Sequence, residues 1–390
     1  MGIFDSRASF RLIYLLGISV PLLTMALVVL AALFLEINAD ISTHIDMLWH
    51  ADDQGKYNVP PLYFLNLKWL GNLFWWRPSY KIAALLLLCL TVYFKFQLSL
   101  NYLKKNLEDQ AEWYKWSPLA VGALFFIFPL VLPGMEGEHW YLGKFTSSIW
   151  LNSTTIFVFP FALALFFLSF SWLTQPNPTD WQLMILLGLI NTLIKPSFLF
   201  VLIPGLPLFY LLIYGRPNKN FIWSVLASLI WLGTLWVTKH LIYESAIWQD
   251  KIFMLSYDAE VIISPLAVFK LHSETWFWDL ISSFALLFLS WAFIGKKLWK
   301  QREFQFSLLL FLGSIAVYLL FAETGDRMSH GNFYWQIPIS LFILQLVTLK
   351  NLFTSRLTKA KTIPLVLVWT FHAGSLIAFL LRWITQNEMI

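Results

Sequence analysis

The stretch Phe10–Glu36, FRLIYLLGISVPLLTMALVVLAALFLE, decides the class of this protein. Between Arg11 and Glu36 it carries no charged side chain. A bilayer-spanning helix needs about 20 predominantly apolar residues, so this stretch is long enough to cross. It is too long for the core of a cleavable signal peptide and lacks a small-x-small cleavage site, so it reads as a retained signal-anchor. Runs of the same kind recur to the end of the chain. Of the 390 residues, 58% are hydrophobic, 18% aromatic and only 13% charged. Mean hydropathy is +0.66. A soluble domain covers its surface with roughly a quarter charged residues, so a soluble fold is excluded.

Hydropathy and loop charge predict an all-α, polytopic transmembrane helical bundle of about eleven spans. They fall at 10–36, 79–100, 117–133, 150–172, 181–194, 197–214, 221–240, 276–294, 304–322, 333–349 and 363–384. No repeat, low-complexity tract or linker divides the chain, so residues 1–390 read as a single transmembrane domain. The net charge of +5 is no nucleic-acid signature, because the basic residues sit in short loops between spans. The single cysteine, Cys89, lies within a hydrophobic run, which excludes an intrachain disulfide and leaves the redox compartment open.

Lysine and arginine set the orientation. KKLWKQR at 296–302 and RLTKAK at 356–361 fall on the same side as Arg7, Arg11, Lys104 and Lys105. The positive-inside rule makes that side, and the N-terminus, cytoplasmic. Most acids fall on the other side: Asp40, Asp46, Asp52, Asp53, Glu136, Glu138, Glu244, Asp250, Asp258, Glu323 and Asp326 among them. The long loops, 37–78, 134–149, 241–275 and 323–332, lie there too, so chemistry is expected on the extracytoplasmic face.

In the first of these loops Asp40, His44 and Met47 share one helical face, with Asp40 and His44 one turn apart. A carboxylate beside a histidine just outside the bilayer suits a general base acting on a hydroxyl. Asp46, Asp52 and Asp53 are alternatives for the base, and a solvated, capped loop is the plain reading of any one of them. After Pro60-Pro61, Leu62–Trp76 suits a short helix lying in the membrane interface. The second loop crowds Glu136, Glu138, His139, Lys144 and Asn152 at the mouth of a helix. Glu-x-Glu-His is a weak divalent-metal signal, so a metal cofactor stays open, with no metal ligand assigned. Asn152-Ser-Thr is also a glycosylation sequon, set close to the membrane.

Lys195, in LIKPSF, stands between two short apolar segments. A charge at the membrane edge is costly and marks function, with snorkelling to the interface as the plain alternative. Near the outer surface it is placed to meet a lipid phosphate. The segment FAETGDRMSHGNFYW, 321–335, gathers Glu323, Asp326, Arg327, His330 and Asn332. Arginine binds phosphate in two-pronged fashion, and Gly325 and Gly331 let backbone approach; a self-satisfied salt-bridged turn is the plain reading. No Walker loop, Gly-x-Ser-x-Gly, Cys-x-x-Cys or His-Glu-x-x-His occurs.

In these segments, and in layout over nearly the whole chain, the protein resembles the C-type glycosyltransferase superfamily, multispan enzymes that take sugars from polyprenyl-phosphate donors. ADISTHIDML and NVPPLYF are similar to the acidic first loop with its interface helices. SSIWLNSTTIF is similar to an outer-edge Trp/His-Asn-Pro-Thr region, with Ser153 where proline is usual. LIKPSF resembles a Lys-Pro helix turn, and GDRMSHGNFYW a late phosphate-binding segment. The resemblance implies a glycosyltransferase acting by one inverting displacement, with Asp40 as base and His44 beside it. It implies Lys195 and Arg327 on the lipid phosphate, His330 assisting, and Asn152 and Glu323 lining the substrate site. The partners it implies are a polyprenyl-phospho-sugar donor, a lipid or glycan acceptor and membrane lipids, and no nucleic acid. A polysaccharide polymerase or ligase, or a lipid flippase or transporter, remains the alternative. The first usually needs one very large outer loop, and the second needs charges deep in helices.

Overall fold

The computed structural model describes residues 6–73, 79–107, 111–131, 140–243, 251–253, 259–355 and 357–387. The chain runs α1 (Ser6–Phe34), α2 (Asp40–Asp53), β1 (Tyr57–Asn58), α3 (Leu62–Gly71), α4 (Ser79–Leu107), α5 (Ala111–Leu124) and α6 (Ser153–Thr174). It continues through α7 (Pro178–Ile194), α8 (Leu199–Tyr214), α9 (Lys219–Tyr243), β2 (Ile252–Phe253), β3 (Val261–Ile263), α10 (Ala267–His272) and α11 (Trp276–Leu298). The last elements are α12 (Arg302–Leu320), β4 (Phe321–Glu323), α13 (Gln336–Phe353) and α14 (Lys359–Gln386). This is an all-α polytopic bundle. Among the described residues nine segments are long and apolar enough to cross a membrane.

Two of the expected spans, α5 with 14 residues and α7 with 17, fall short of that criterion. At 1.5 Å per residue, α5 covers only about 21 Å of a hydrocarbon layer about 30 Å thick. The expected span 117–133 is therefore corrected: the helix begins earlier and stops at Leu124, and the chain runs on without helix to Val131. Pro129 disfavours helix at the residue before it. Irregular backbone at membrane depth survives only where protein satisfies its polar groups. Here Thr146-Ser147-Ser148 does so. Ser148 Oγ donates to Phe125 O and Ile127 O, both at 2.8 Å, and Ser147 Oγ to Ile127 O at 3.3 Å. His372 of α14 bonds Phe128 O, and Trp369 Nε1 donates to Ala123 O at 2.9 Å.

The core is organised around α13, buried continuously from Gln336 to Thr348. Lys95 of α4 enters it from the side. Its Nζ lies 3.5, 3.8 and 4.5 Å from the ring centroids of Phe159, Phe342 and Phe125. α1 crosses α5 at Gly17 and Gly122, where an added Cβ on Gly122 would come 2.3 Å from Gly17 O. Small residues allow such close crossings where lipid supplies no hydrophobic drive between helices. The outward faces of α1, α9 and α14 leave Leu27, Trp236 and Phe371 exposed. So much apolar surface is stable against lipid tails and not against water.

The bundle has two unlike ends. Lys104, Lys219, Lys296, Lys297, Arg302, Lys350 and Lys359 gather at one, on helix ends of α4, α9, α11, α12, α13 and α14. At the other end, β1 pairs in parallel with β2, and β3 pairs antiparallel with β4, Val261 opposite Glu323. These strands tie together loops that the sequence presents as separate. Asp52 accepts hydrogen bonds from Lys68 and Tyr80, pinning α2 to α3 and α4. Lys144 is 2% exposed and ion-paired with Asp279 of α11, whose carboxylate also accepts from Ser273 at 2.6 Å.

Candidate functional site

The strand-bearing end holds a cavity of about 1070 Å³. Asp40, His44, Asn152, Lys195, Glu323, Arg327 and His330, from four separate stretches of sequence, all line it.

Asp40 opens α2 after an extended residue, Ala39, so its carboxylate sits at the positive end of the helix dipole. Thr43, His44 and Met47 follow down the same face and line the cavity with it. Asp46 and Asp53 are exposed on other faces and do not line it. Asp52 is held by Lys68 and Tyr80. Of these four acids, Asp40 alone lines the cavity.

Asn152 is the hub. As N-cap of α6 its Oδ1 accepts from Thr155 N at 2.9 Å, Thr155 Oγ1 at 2.7 Å and Thr154 Oγ1 at 3.1 Å. It also accepts from Lys195 Nζ at 3.1 Å. With every Oδ1 partner a donor, the amide nitrogen must face the other way, and it donates to Asp40 Oδ2. One side chain thereby joins the acid of α2 to the cation between α7 and α8. Asn152 is 3% exposed, which leaves the sequon no room for a glycan.

Lys195 has extended backbone, φ −163° and ψ 112°, as the residue before Pro196 should. That turn lies outside both flanking helices. Its Nζ also donates to Thr154 Oγ1 at 3.1 Å and stands 4.8 Å from the Trp335 ring centroid. Burial pulls its pKa down from 10.5 to about 8, against the opposing pull of Asp40. His44 Nδ1 lies 2.7 Å from Ser153 Oγ, with Phe64 and Tyr63 edge-on to its ring. Burial above all, with Asp40 opposing and Lys195 adding, lowers its pKa from 6.5 to about 4. The imidazole is therefore neutral near pH 7.

In the same lining, Arg327 docks on Glu323 Oε1 through Nε at 3.1 Å and Nη2 at 3.0 Å. Asn332 Nδ2 donates to the other carboxylate oxygen. Glu323 ends β4 and is 2% exposed. The turn closes with Gly325 at φ +65° and Gly331 at φ +57°, conformations that favour glycine. His330 is exposed in the cavity wall. Arg327 is therefore built into the salt-bridged turn and faces the cavity as well.

Sequence reading missed other parts of the lining: Tyr141, Trp335, Phe379, Lys239 and the α9 residues Leu232, Leu235, Trp236 and Ile242. Lys239 carried a usable signal, a cation at the end of a span opposite the basic side. The aromatic residues carried none, because tryptophan and tyrosine are common at every membrane interface. Among the described residues no three His, Cys, Asp or Glu side chains are placed to hold a metal. Glu136, Glu138 and His139, with Glu244, Asp250 and Asp258, lie outside the described residues. No family model, curated protein or solved structure matches the chain.

The cavity joins a fixed carboxylate, a neutral imidazole, a lysine and an arginine to a wall of leucine, isoleucine and tryptophan. That combination suits a substrate with an anionic head, a hydroxyl-bearing part and a long apolar tail.

Proposed function

We propose that this protein is a membrane glycosyltransferase that moves a sugar from a polyprenyl-phosphate donor to an acceptor hydroxyl. The observation that carries the reading is the Asp40–Asn152–Lys195 chain in a cavity whose other wall is the apolar face of α9. In the reaction, Asp40 takes the acceptor's O–H proton as that oxygen attacks the anomeric carbon. The bond from that carbon to the phosphate oxygen breaks on the opposite face, and the lipid phosphate leaves with the electron pair. Configuration inverts. Lys195 stabilises the developing phosphate charge, with Arg327 and His330 further along the wall, in surroundings where each charge-assisted contact gains strength. Asn152 holds base and cation at a fixed separation, which keeps them from collapsing into a direct ion pair.

The positive-inside rule applied to the basic end gives a cytoplasmic N-terminus and an extracytoplasmic cavity. The open wall of α9, where Leu232 and Trp236 are exposed, supports entry of the donor's tail from the bilayer.

The test is incubation of purified protein with a panel of polyprenyl-phospho-sugars, measuring released lipid phosphate. Turnover with one donor is expected, and Asp40→Asn should cut it by about 10²–10⁴-fold, the usual cost of losing a general base. Full activity of Asp40→Asn would overturn the assignment of the base. No release from any donor would overturn the reading itself.

A further inference from the structure

The glycosyltransfer step gives no task to His44, one turn along α2 from Asp40 and in the same cavity wall. The ring is half-buried, with Nδ1 2.7 Å from Ser153 Oγ. Nε2 makes no hydrogen bond among the described residues and, unlike the Tyr63 hydroxyl, is not sealed from solvent-sized space. Which nitrogen carries the proton follows from the neighbours. Ser153 opens α6 and is fully buried, and its single O–H has two acceptors to choose between, His44 Nδ1 and the Tyr63 hydroxyl oxygen. Tyr63 is fully buried as well. Burial raises its phenol above the ordinary range, and Ser153 lies near enough to oppose that, so the phenol stays protonated and its O–H needs an acceptor. As placed, it has none.

With the proton on Nδ1, three donors would crowd one spot: Nδ1–H, the Ser153 hydroxyl and the Tyr63 hydroxyl. Two hydroxyls cannot each donate to the other, so one of them would be left in a sealed site without an acceptor, a costly state. With the proton on Nε2, Tyr63 donates to Ser153 Oγ and Ser153 donates to Nδ1, and every buried donor is satisfied by rotation of the hydroxyls alone. We propose that Ser153 is a positioning residue that fixes His44 as the Nε2–H tautomer, so that the imidazole donates to an oxygen of the acceptor whose hydroxyl Asp40 deprotonates. The contact rests on the glycosyltransfer reading and adds a donor to it: Asp40 is the base, and His44 takes no proton. Residues one turn apart on a helix face are close enough to hold one acceptor group between them. Asp40 and Lys195 are the charges that act on the ring, and both line the same cavity.

The test has a spectroscopic arm and a kinetic arm. Protein labelled with 15N-histidine is observed by NMR in detergent, the His44 signals being those lost in His44→Gln. Wild type and Ser153→Thr, which keeps the hydroxyl, should show the Nε2–H tautomer, and Ser153→Ala a mixture of the two. For kinetics, donor and acceptor are varied separately. Glutamine at position 44 offers an amide N–H near the Nε2 position but no nitrogen that takes a proton. His44→Gln should therefore keep at least about 10-fold more acceptor kcat/KM than His44→Ala, the scale of one hydrogen bond, with donor KM unmoved in both. Ser153→Ala should lose acceptor kcat/KM that Ser153→Thr regains. An Nδ1–H signal in wild type, or a tautomer that Ser153→Ala leaves unchanged, would overturn the role of Ser153. His44→Gln as inactive as His44→Ala would make the imidazole a proton acceptor and overturn the donor role, with the glycosyltransfer reading left standing. Release of lipid phosphate from no donor by wild type would overturn that reading and the acceptor contact with it, while the spectrum alone still decides the tautomer.

Discussion

At the residue scale, the site depends on which atom of Asn152 faces which neighbour. Asn152→Asp keeps the helix cap, because a carboxylate oxygen still accepts from Thr155 N. It replaces the donor that meets Asp40 with a second carboxylate, and like charges at that range disfavour each other's ionised form. We expect Asn152→Asp to fold at near wild-type yield and to lose at least about 10²-fold in turnover, the scale of losing a positioned base. Unchanged turnover in a lipid-phosphate release assay would remove Asn152 from its role. His44 gives a pH signature. Its pKa is about 4 in the folded protein against an ordinary 6.5. Between those values the unfolded chain holds the extra proton, so stability falls as pH drops through that window. The melting temperature should decline from pH 7 to pH 5 by more in wild type than in His44→Gln, and equal declines would refute the linkage.

At the element scale, the broken helix α5 is the feature most exposed to test. Its non-helical continuation is stable because hydroxyls from 146–148 reach the carbonyls of Phe125 and Ile127. Removing this hydroxyl, whose one O–H is shared between the two carbonyls, by Ser148→Ala takes the donor from Phe125 O and weakens the set on Ile127 O. The expected cost is about 1–3 kcal/mol, read as a lower melting temperature in detergent. The cavity lies behind this segment, since Leu151 and Asn152 follow it directly. Ser148→Ala should therefore lower the fraction of active protein more than it lowers the affinity of what remains active. A melting temperature equal to wild type would mean that another group satisfies those carbonyls.

At the scale of the whole molecule, the division between a basic end and a cavity end implies a fixed orientation in the membrane. With Cys89 replaced, a cysteine at position 329 should react with an impermeant thiol reagent in intact cells. One at position 355, where Lys297 now bonds Ser355 Oγ at 3.1 Å, should react only after permeabilisation. Equal labelling of both positions would overturn the layout. The same division places Lys239, Lys195 and Arg327 at the cavity end, against the general charge bias. Exceptions to that bias are costly at a membrane edge and mark candidate functional positions.

Phe10–Glu36 and its successors determine by themselves that the chain is a helical membrane bundle, because length and apolar composition are local properties that no packing arrangement can reverse. The shared face of Asp40, His44 and Met47 is local as well, since helical periodicity alone puts residues three and four apart together. The acid content of one set of loops and the basic content of the other were equally legible. Tertiary structure decided the rest. Asn152 meets Asp40 across 112 residues and Lys195 across 43, and nothing in either sequence neighbourhood specifies the partner. Asp52 reads like Asp40 in the sequence, yet folding commits it to Lys68 and Tyr80. Tyr141 is one of many interfacial aromatics until the packing of Phe379 and Trp335 fixes its ring in the cavity lining. The break in α5 needed Pro129, which is visible, and also the hydroxyls of 146–148, which become its partners only when the chain folds back. Membrane class follows from the free energy of transferring each segment into lipid, a sum over local residues. The site follows from which polar groups satisfy one another inside that lipid, a property of contacts between distant ones.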